Sequence, residues 1–215
     1  MLMLTVSTSG PIVSACLSRD GTALSYRQHE GAGTHSETLM PLIDQMLTDA
    51  GISPRDIDLY AADTGPGSFT GVRIGVCAAN AMAGAACKPL VGVSSLSALA
   101  YGRDGSVCAL LDARNGNGYA ALYQNGVCAI PPSAVVIEDF LPAIPTGTLF
   151  VGDGALLHAR RIAQIVPDSR IEQAALRADA AALAAWEGYQ KGAAESELLP
   201  LYLRPSQAER LYKEK

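Results

Sequence analysis

The segment Thr64-Gly65-Pro66-Gly67-Ser68-Phe69-Thr70-Gly71-Val72-Arg73-Ile74-Gly75 decides how the rest of the chain is read. It joins a short apolar strand, Leu59 to Ala62, to a helical stretch that runs to about Cys87. Glycines between a strand and a helix let the backbone turn tightly and approach a ligand or a second stretch of backbone. No lysine follows Gly71, so this is not a phosphate loop of the GxxxxGK[ST] type, and the glycines lack the GxGxxG order of a dinucleotide fold. The middle residue of Gly67-Ser68-Phe69-Thr70-Gly71 is Phe69, which excludes a GxSxG nucleophile elbow. Two readings remain: an anion site, or a structural turn feeding a closely packed helix.

The helix after the loop is almost without bulk. Gly75, Ala78, Ala79, Ala81, Ala83, Gly84, Ala85 and Ala86 are relieved by Val72, Ile74, Val76 and Met82. Glycine inside a helix costs up to about 1 kcal/mol relative to alanine, so Gly75 and Gly84 imply that another helix lies against them. Ordinary packing against the sheet of the same chain is the simpler reading, and sequence alone leaves open whether the neighbour is internal or a second subunit. Upstream, Leu39, Ile43, Met46, Leu47 and Ala50 recur at helical spacing, with Thr34 and Glu37 spaced as a capping box. Gly51 closes that helix in the left-handed region and Pro54 prevents its continuation.

Working further out, Leu2 to Thr8 and Ile12 to Leu17 read as strands, followed by an Asp20-Gly21 hairpin turn and Leu24 to Arg27. Downstream of the loop, Leu90 to Val93 reads as a strand, and Ser94 or Ser95 caps a helix carrying Leu96, Leu99 and Ala100. Val107 to Leu111, ending in Asp112, then repeats the opening. A turn at Asn115 to Gly118, a strand Tyr119 to Tyr123 and an Asn125-Gly126 hairpin follow. Ser7 with Asp112, and Gly21 with Gly126, are separated by the same 105 residues, which predicts two related lobes. Later come a strand Leu149 to Val151, a helix Ala155 to Ile165 after Gly152-Asp153-Gly154, and an alanine-rich helix Gln173 to Gln190. Lobes over 1–102 and 103–206 are expected, with 207–215 a loose tail.

Composition narrows the function. Of the 215 residues, 49 % are hydrophobic and 17 % charged, with a mean hydropathy of +0.18, which excludes a disordered chain. The net charge of -5 shows no basic surplus, so a nucleic acid would be gripped chiefly by another protein. No apolar run reaches the ~18 residues of a membrane span, and Met1-Leu2-Met3-Leu4-Thr5 carries no signal-peptide pattern. Cys16, Cys77, Cys87, Cys108 and Cys128 form no CxxC pair and read as small buried hydrophobes in a reducing cytoplasm. His29, His35 and His158 are the three histidines, with no HExxH and no metal-ligand spacing; His35 reads as a helix-start residue. Asp112-Ala113-Arg114 is the best polar cluster, and a turn-stabilising pair is its simpler reading.

Taken together, Thr34-His35-Ser36-Glu37 with Met40-Pro41-Leu42-Ile43, the Thr64 to Gly75 segment, Val91-Gly92-Val93-Ser94-Ser95-Leu96, Asp112-Ala113-Arg114 and Pro200-Leu201-Tyr202-Leu203-Arg204-Pro205 resemble the TsaB (YeaZ) family. The resemblance is strong over the first half and patchy over the second. It implies an α/β actin-like ATPase fold of the sugar-kinase and heat-shock-chaperone kind, with two ribonuclease-H-like lobes, the second reduced. It implies a dimerisation subunit, a non-catalytic scaffold and activator for the catalytic paralogue TsaD. That enzyme, assisted by the ATPase TsaE, transfers a threonylcarbamoyl group to the tRNA adenosine beside the anticodon.

Two departures bear on chemistry. Members of this fold usually end the first strand in an aspartate that manages a metal–nucleotide; Ser7 stands there. The paralogue's two metal-binding histidines correspond to Ser95 and Leu99, and leucine is no ligand. The resemblance thus implies no cofactor for this chain, with ATP, ADP and metal in the partner subunits, tRNA met only indirectly, and a homodimer when alone. A partner interface is expected at His35, Leu39, Leu42, Met46, Gly71, Gly75, Ala79, Met82 and Ala83. Residual nucleotide or anion contacts would fall on Ser7, Gly65, Gly67, Arg73, Asp112 and Gly152. The alternatives are an ATP-using, kinase-like enzyme of the same fold and, behind it, a metallopeptidase.

Overall fold

The computed structural model describes residues 1–31 and 34–205; the expected tail, 207–215, and the last residue of the expected second lobe lie outside them. The first lobe opens with β1 (Leu2–Ser7), β2 (Val13–Arg19) and β3 (Thr22–His29), the hairpin between the last two turning on Asp20 and Gly21 at φ +49° and +80°. Then come α1 (His35–Ala50), β4 (Leu59–Gly65), α2 (Phe69–Ala86), β5 (Leu90–Ser94) and α3 (Ser95–Ala100). The second lobe follows with β6 (Ser106–Asp112), β7 (Asn117–Gln124), β8 (Val127–Val136), α4 (Ile137–Phe140), β9 (Leu149–Val151), α5 (Asp153–Leu157), α6 (Ala159–Ile165) and β10 (Arg170–Glu172), and the chain then forms α7 (Ala178–Gln190).

The duplication read from the 105-residue spacing is carried through both sheets. The first has the order β3-β2-β1-β4-β5, the second β8-β7-β6-β9-β10. In each, the first three strands run antiparallel and the last two join in parallel, so β6 stands where β1 does and β10 where β5 does. A parallel join needs a crossover, which α1 supplies between β3 and β4 and α2 between β4 and β5.

The layers follow from side-chain alternation. Leu2, Leu4 and Val6 of β1 face α1 and α2, while Met3 on the opposite face meets Ala178, Ala181, Ala182 and Ala185 of α7. Helix α3 lies between the two sheets: Leu96, Leu99 and Ala100 pack with Val107, Ala109 and Leu111 of β6, making one apolar core common to both lobes. The outer face of the second sheet is covered by α4, α5 and α6 through Ile137, Ala155 and Ile162. No helix among the described residues is long and apolar enough to cross a membrane.

Several local expectations change. Helix α7 starts at Ala178 rather than Gln173 and packs on the first sheet, so the chain returns to the first lobe instead of completing the second. The helix expected over Ala155 to Ile165 is broken at His158, where φ −102° and ψ 17° leave the helical region. Thr34 makes no side-chain cap; its carbonyl instead accepts from Glu37 and Thr38, so the capping box does not form. Ala50 is exposed. Of the cysteines, Cys16 and Cys108 are buried, and burial pushes both thiols up to about 12, but Cys77, Cys87 and Cys128 are exposed. Neighbouring sequence was apolar in each case, yet Cys77 falls on the outward side of α2 and Cys128 on edge strand β8.

Neither helical glycine has another helix against it, and Gly75 follows the simpler reading of packing on the chain's own sheet. A Cβ on Gly75 would sit 2.5 Å from the Thr8 hydroxyl, so the end of β1, not another helix, fills that space. Around Gly84 nothing lies within 4 Å. At Gly71 the approach is closest, since a Cβ there would stand 2.1 Å from the Thr8 carbonyl oxygen. Gly71→Ala is therefore expected to lower the unfolding free energy by about 2–4 kcal/mol by forcing β1 and α2 apart. Gly84→Ala, in an open helical position, is expected to raise it by about 0.5–1 kcal/mol. Urea unfolding of the two variants beside the parent chain checks both signs.

Candidate functional site

The two lobes face each other across a cleft of about 850 Å³. Its first-lobe wall is the β1–β2 turn (Ser9, Gly10, Pro11) with the Pro66 to Thr70 loop, and its second-lobe wall is Leu111 to Arg114 with Asp153. Residues Leu201 to Pro205 close one side. His35 lines the cleft and is tied through Nε2 to the Gly10 carbonyl at 2.9 Å, which holds the start of α1 against the turn.

The glycine loop spends its freedom on the chain's own backbone. The Ser68 amide donates to the Ser9 carbonyl at 2.7 Å, the Thr8 hydroxyl donates to the Gly71 carbonyl at 2.7 Å, and the Gly71 amide is capped by the Ser68 hydroxyl. A Cβ on Gly67 would lie 2.4 Å from the Ser9 carbonyl oxygen. Gly65, at φ +98°, lets Leu201 pass, its would-be Cβ 3.2 Å from the Leu201 carbonyl oxygen. On the other wall, Gly152 at φ +108° admits the Leu110 carbonyl, 2.4 Å from its would-be Cβ. Gly65, Gly67 and Gly152 thus serve the structural-turn reading, because the space an anion would need is filled by backbone. Asp112 accepts from the Arg114 amide at 3.0 Å, a turn-stabilising contact, while its own amide donates to Asp153 at 3.1 Å. Arg73 is engaged by neighbouring side chains: its Nε donates to the Tyr202 hydroxyl at 2.7 Å and its guanidinium lies 4.0 Å over the Phe69 ring.

The residues expected at a partner interface separate into two faces. Leu39, Met46, Gly71, Gly75, Ala79 and Ala83 all point inward to the first sheet, and Met46 and Ala79 are 0 % and 1 % exposed. A helix beside a sheet buries the stripe that gave the strongest periodic signal, so those six are corrected to core positions. Leu42 and Met82 are half-buried at the edge, and His35 lies in the cleft. The outward side of α2 carries Cys77, Ala81, Gly84 and Ala85, all exposed and all small. Beside it, between α1 and α2, runs an apolar groove of about 500 Å³ lined by Met40, Ile43, Leu47, Tyr60 and Met82, with Asp44 and Arg55 at its edge.

One polar centre escaped the sequence reading, which ended the fourth strand at Ala62 and began the loop at Thr64. Asp63 lies between them and is 1 % exposed. Parallel pairing sets Val6 beside Ala62, which brings the end of β1 next to Asp63. The Ser7 hydroxyl donates to it at 3.0 Å, the Ser9 and Ser95 hydroxyls donate as well, and the Gly65 amide donates at 3.0 Å. A cluster of hydroxyls at strand ends around one acid, Ser7, Ser9 and Ser94-Ser95, was the available signal. Ser7, which stands where the resemblance implies an aspartate, thus spends its hydroxyl on a carboxylate that already accepts from Ser9, Ser95 and Gly65 and is 1 % exposed. These residues do not fit a metal–nucleotide on the first-lobe wall.

Burial pushes the Asp63 carboxyl above the usual carboxylate range, with the donors from Ser9, Ser95, Gly65 and Ser7 pulling against it. A raised acid contributes stability that is full below its ordinary value, near pH 4, and is lost as pH rises through its folded-state value. Asp63→Ala strands several buried donors and is expected to cost about 3 kcal/mol at neutral pH. Asp63→Asn is expected to cost less and to remove the part of the decline in stability above pH 4 that belongs to this group. Urea unfolding of all three chains between pH 4 and pH 8 measures it.

Comparison with known proteins agrees with this architecture. The family model "TsaD: tRNA N6-adenosine threonylcarbamoyltransferase" matches residues 29–186. The "tRNA threonylcarbamoyladenosine biosynthesis protein TsaB" of Bacillus subtilis is 34 % identical over 97 % of this chain and 96 % of its own length. A Pseudomonas aeruginosa crystal structure described as similar to peptidase YeaZ superposes with a TM-score of 0.82 at 28 % identity, covering 94 % of this chain and 99 % of that one. A ROK family protein of Streptococcus pneumoniae shares the fold alone, with a TM-score of 0.51 at 10 % identity over 89 % of this chain and 99 % of its own. The two five-stranded sheets are those of the actin-like ATPase fold. On the near full-length match to its Bacillus subtilis relative, the chain belongs to the TsaB (YeaZ) family.

Proposed function

We infer that this chain is a non-catalytic subunit in tRNA threonylcarbamoyladenosine biosynthesis, and that it binds and activates a TsaD-like catalytic subunit through the outward side of α1 and α2. The observation that carries this reading is the exposed row Cys77, Ala81, Gly84 and Ala85 beside the Met40–Met82 groove. Small side chains let a partner helix approach at the short end of the usual 8–10 Å spacing, and the groove offers apolar area for it to cover. The printed names of the relatives supply the pathway, and the match to the TsaD family model supports a partner built on the same fold.

The reading places the chemistry elsewhere. The one acid beside the fold's usual acidic position is sealed by hydroxyls, and among the described residues no group of three or more His, Cys, Asp or Glu is placed to hold a metal. Nucleotide and metal then belong to the catalytic subunit and to a TsaE-like ATPase. A surface with a net charge of -5 leaves tRNA to be held by the partner. With no partner present, the same face pairs two copies of this chain, and the assembly works in the cytoplasm.

Ala81→Glu puts a charge on the outward face and is expected to weaken binding to the threonylcarbamoyltransferase at least tenfold with a fold stability within about 0.5 kcal/mol of the parent. Ala79→Leu overpacks the inner face and is expected to lose about 1–3 kcal/mol of stability. Calorimetric titration and thermal unfolding separate the two. In reconstitution with catalytic subunit, ATPase and tRNA, omitting this chain is expected to abolish modification; unchanged turnover without it rejects the activator role.

A further inference from the structure

The chain after α7 returns along the first lobe as a strap. Glu195 pairs with Leu90 at the open edge of β5 through both backbone bonds, at 3.0 and 2.8 Å. Leu198 is buried in the core, and the Asn80 side chain both accepts from its amide and donates to its carbonyl at 2.9 Å. Of these anchors, Leu198 is buried. Beyond them the attachments become exposed and few. The Leu201 amide donates to Thr64 at 2.8 Å, the Tyr202 ring stacks on Phe69 at 4.4 Å, and Arg73 Nε donates to the Tyr202 hydroxyl. Two residues later, Arg204 reaches the Ala113 carbonyl of the second lobe at 3.4 Å. Residues 201–205 therefore close one side of the interlobe cleft while being held by the first turn of α2.

Arg73 is also exposed on α2, one turn before Cys77 and two before Ala81. Among the described residues it has no carboxylate partner. Its bond to Tyr202 goes to a neutral hydroxyl, and a charge-assisted, bidentate bond to a carboxylate is roughly twice as strong. We propose that the Arg73–Tyr202 contact is a latch on the cleft: a carboxylate brought by a protein seated on the outward face of α2 takes the guanidinium from Tyr202 and frees residues 201–205. The buried anchor at Leu198 and the backbone pairing of Glu195 with Leu90 stay in place, so release is confined to the end of the strap. This rests on the reading of α2 as the partner-facing helix.

The Leu201 amide reports the latch, because its exchange with solvent requires the strap end to lift from Thr64. In the free chain, Arg73→Gln is expected to speed exchange at Leu201 about tenfold, and Tyr202→Phe by a smaller factor, with the amides of Val76 and Ala79 inside α2 unchanged. Saturating the parent chain with the threonylcarbamoyltransferase is expected to speed Leu201 exchange about tenfold, and to add nothing in Arg73→Gln. Unchanged exchange in free Arg73→Gln overturns the latch. So does a bound partner, detected by gel filtration of the same sample, that leaves Leu201 as slow as before or slower, and the partner-facing reading survives that result. A failure of the two proteins to associate overturns both.

Discussion

A carboxylate without access to water governs the first lobe. Asp63 ends β4, yet its hydrogen bonds reach the end of β1 through Ser7, the β1–β2 turn through Ser9, and the start of α3 through Ser95. Leaving any of these donors unpaired costs more than making the bond gains, so the three elements are held to one arrangement. Everything at the cleft follows from that arrangement. The turn at Ser9 is fixed where the glycine loop closes on it, α2 starts against Thr8, and α3 is aimed between the sheets to build the core common to both lobes.

The two sheets are copies in strand order, but the copies are used differently. At the end of β1 the chain places Ser7 and hides its acid on the neighbouring strand; at the end of β6 it places Asp112 at the cleft and uses it to stabilise a turn. Gly71 and Gly152, near the strand–helix junctions of the two lobes, each lie close to a backbone carbonyl, that of Thr8 and that of Leu110. In this chain the glycine loop closes on the β1–β2 turn, the Ser68 amide donating to the Ser9 carbonyl at 2.7 Å.

Helix α2 has two faces of small residues with opposite fates. The inner one, Gly71, Gly75, Ala79 and Ala83, lets the helix lie close to β1, and the outer one, Cys77, Ala81, Gly84 and Ala85, remains uncovered. Smallness on the inner face is explained within the chain by the Thr8 contacts. On the outer face no contact within the described residues accounts for it. The strap that passes from Asn80 to Tyr202 runs along the boundary between that face and the cleft, so the two surfaces are physically continuous.

Much of the secondary structure was legible because it is set locally. Hairpin turns at Asp20-Gly21 and Asn125-Gly126 need left-handed backbone, α1 needs its apolar stripe and Gly51, and the repeated order of turns marked two lobes. The side chains inside the strong periodic stripes were legible as apolar, but not as inward or outward, since periodicity shows that a helix has a buried face without showing what buries it. Asp63 was passed over because its partners lie as far as 56 residues away in the chain and meet only through the parallel pairing of β1 with β4. By itself the order of amino acids determined the elements, the duplication and the absence of a phosphate-loop lysine. Only the tertiary structure decided which glycines meet backbone, which face of α2 is left open and where buried Asp63 finds its hydrogen-bond donors, because each of these depends on distances between residues that local chemistry cannot relate.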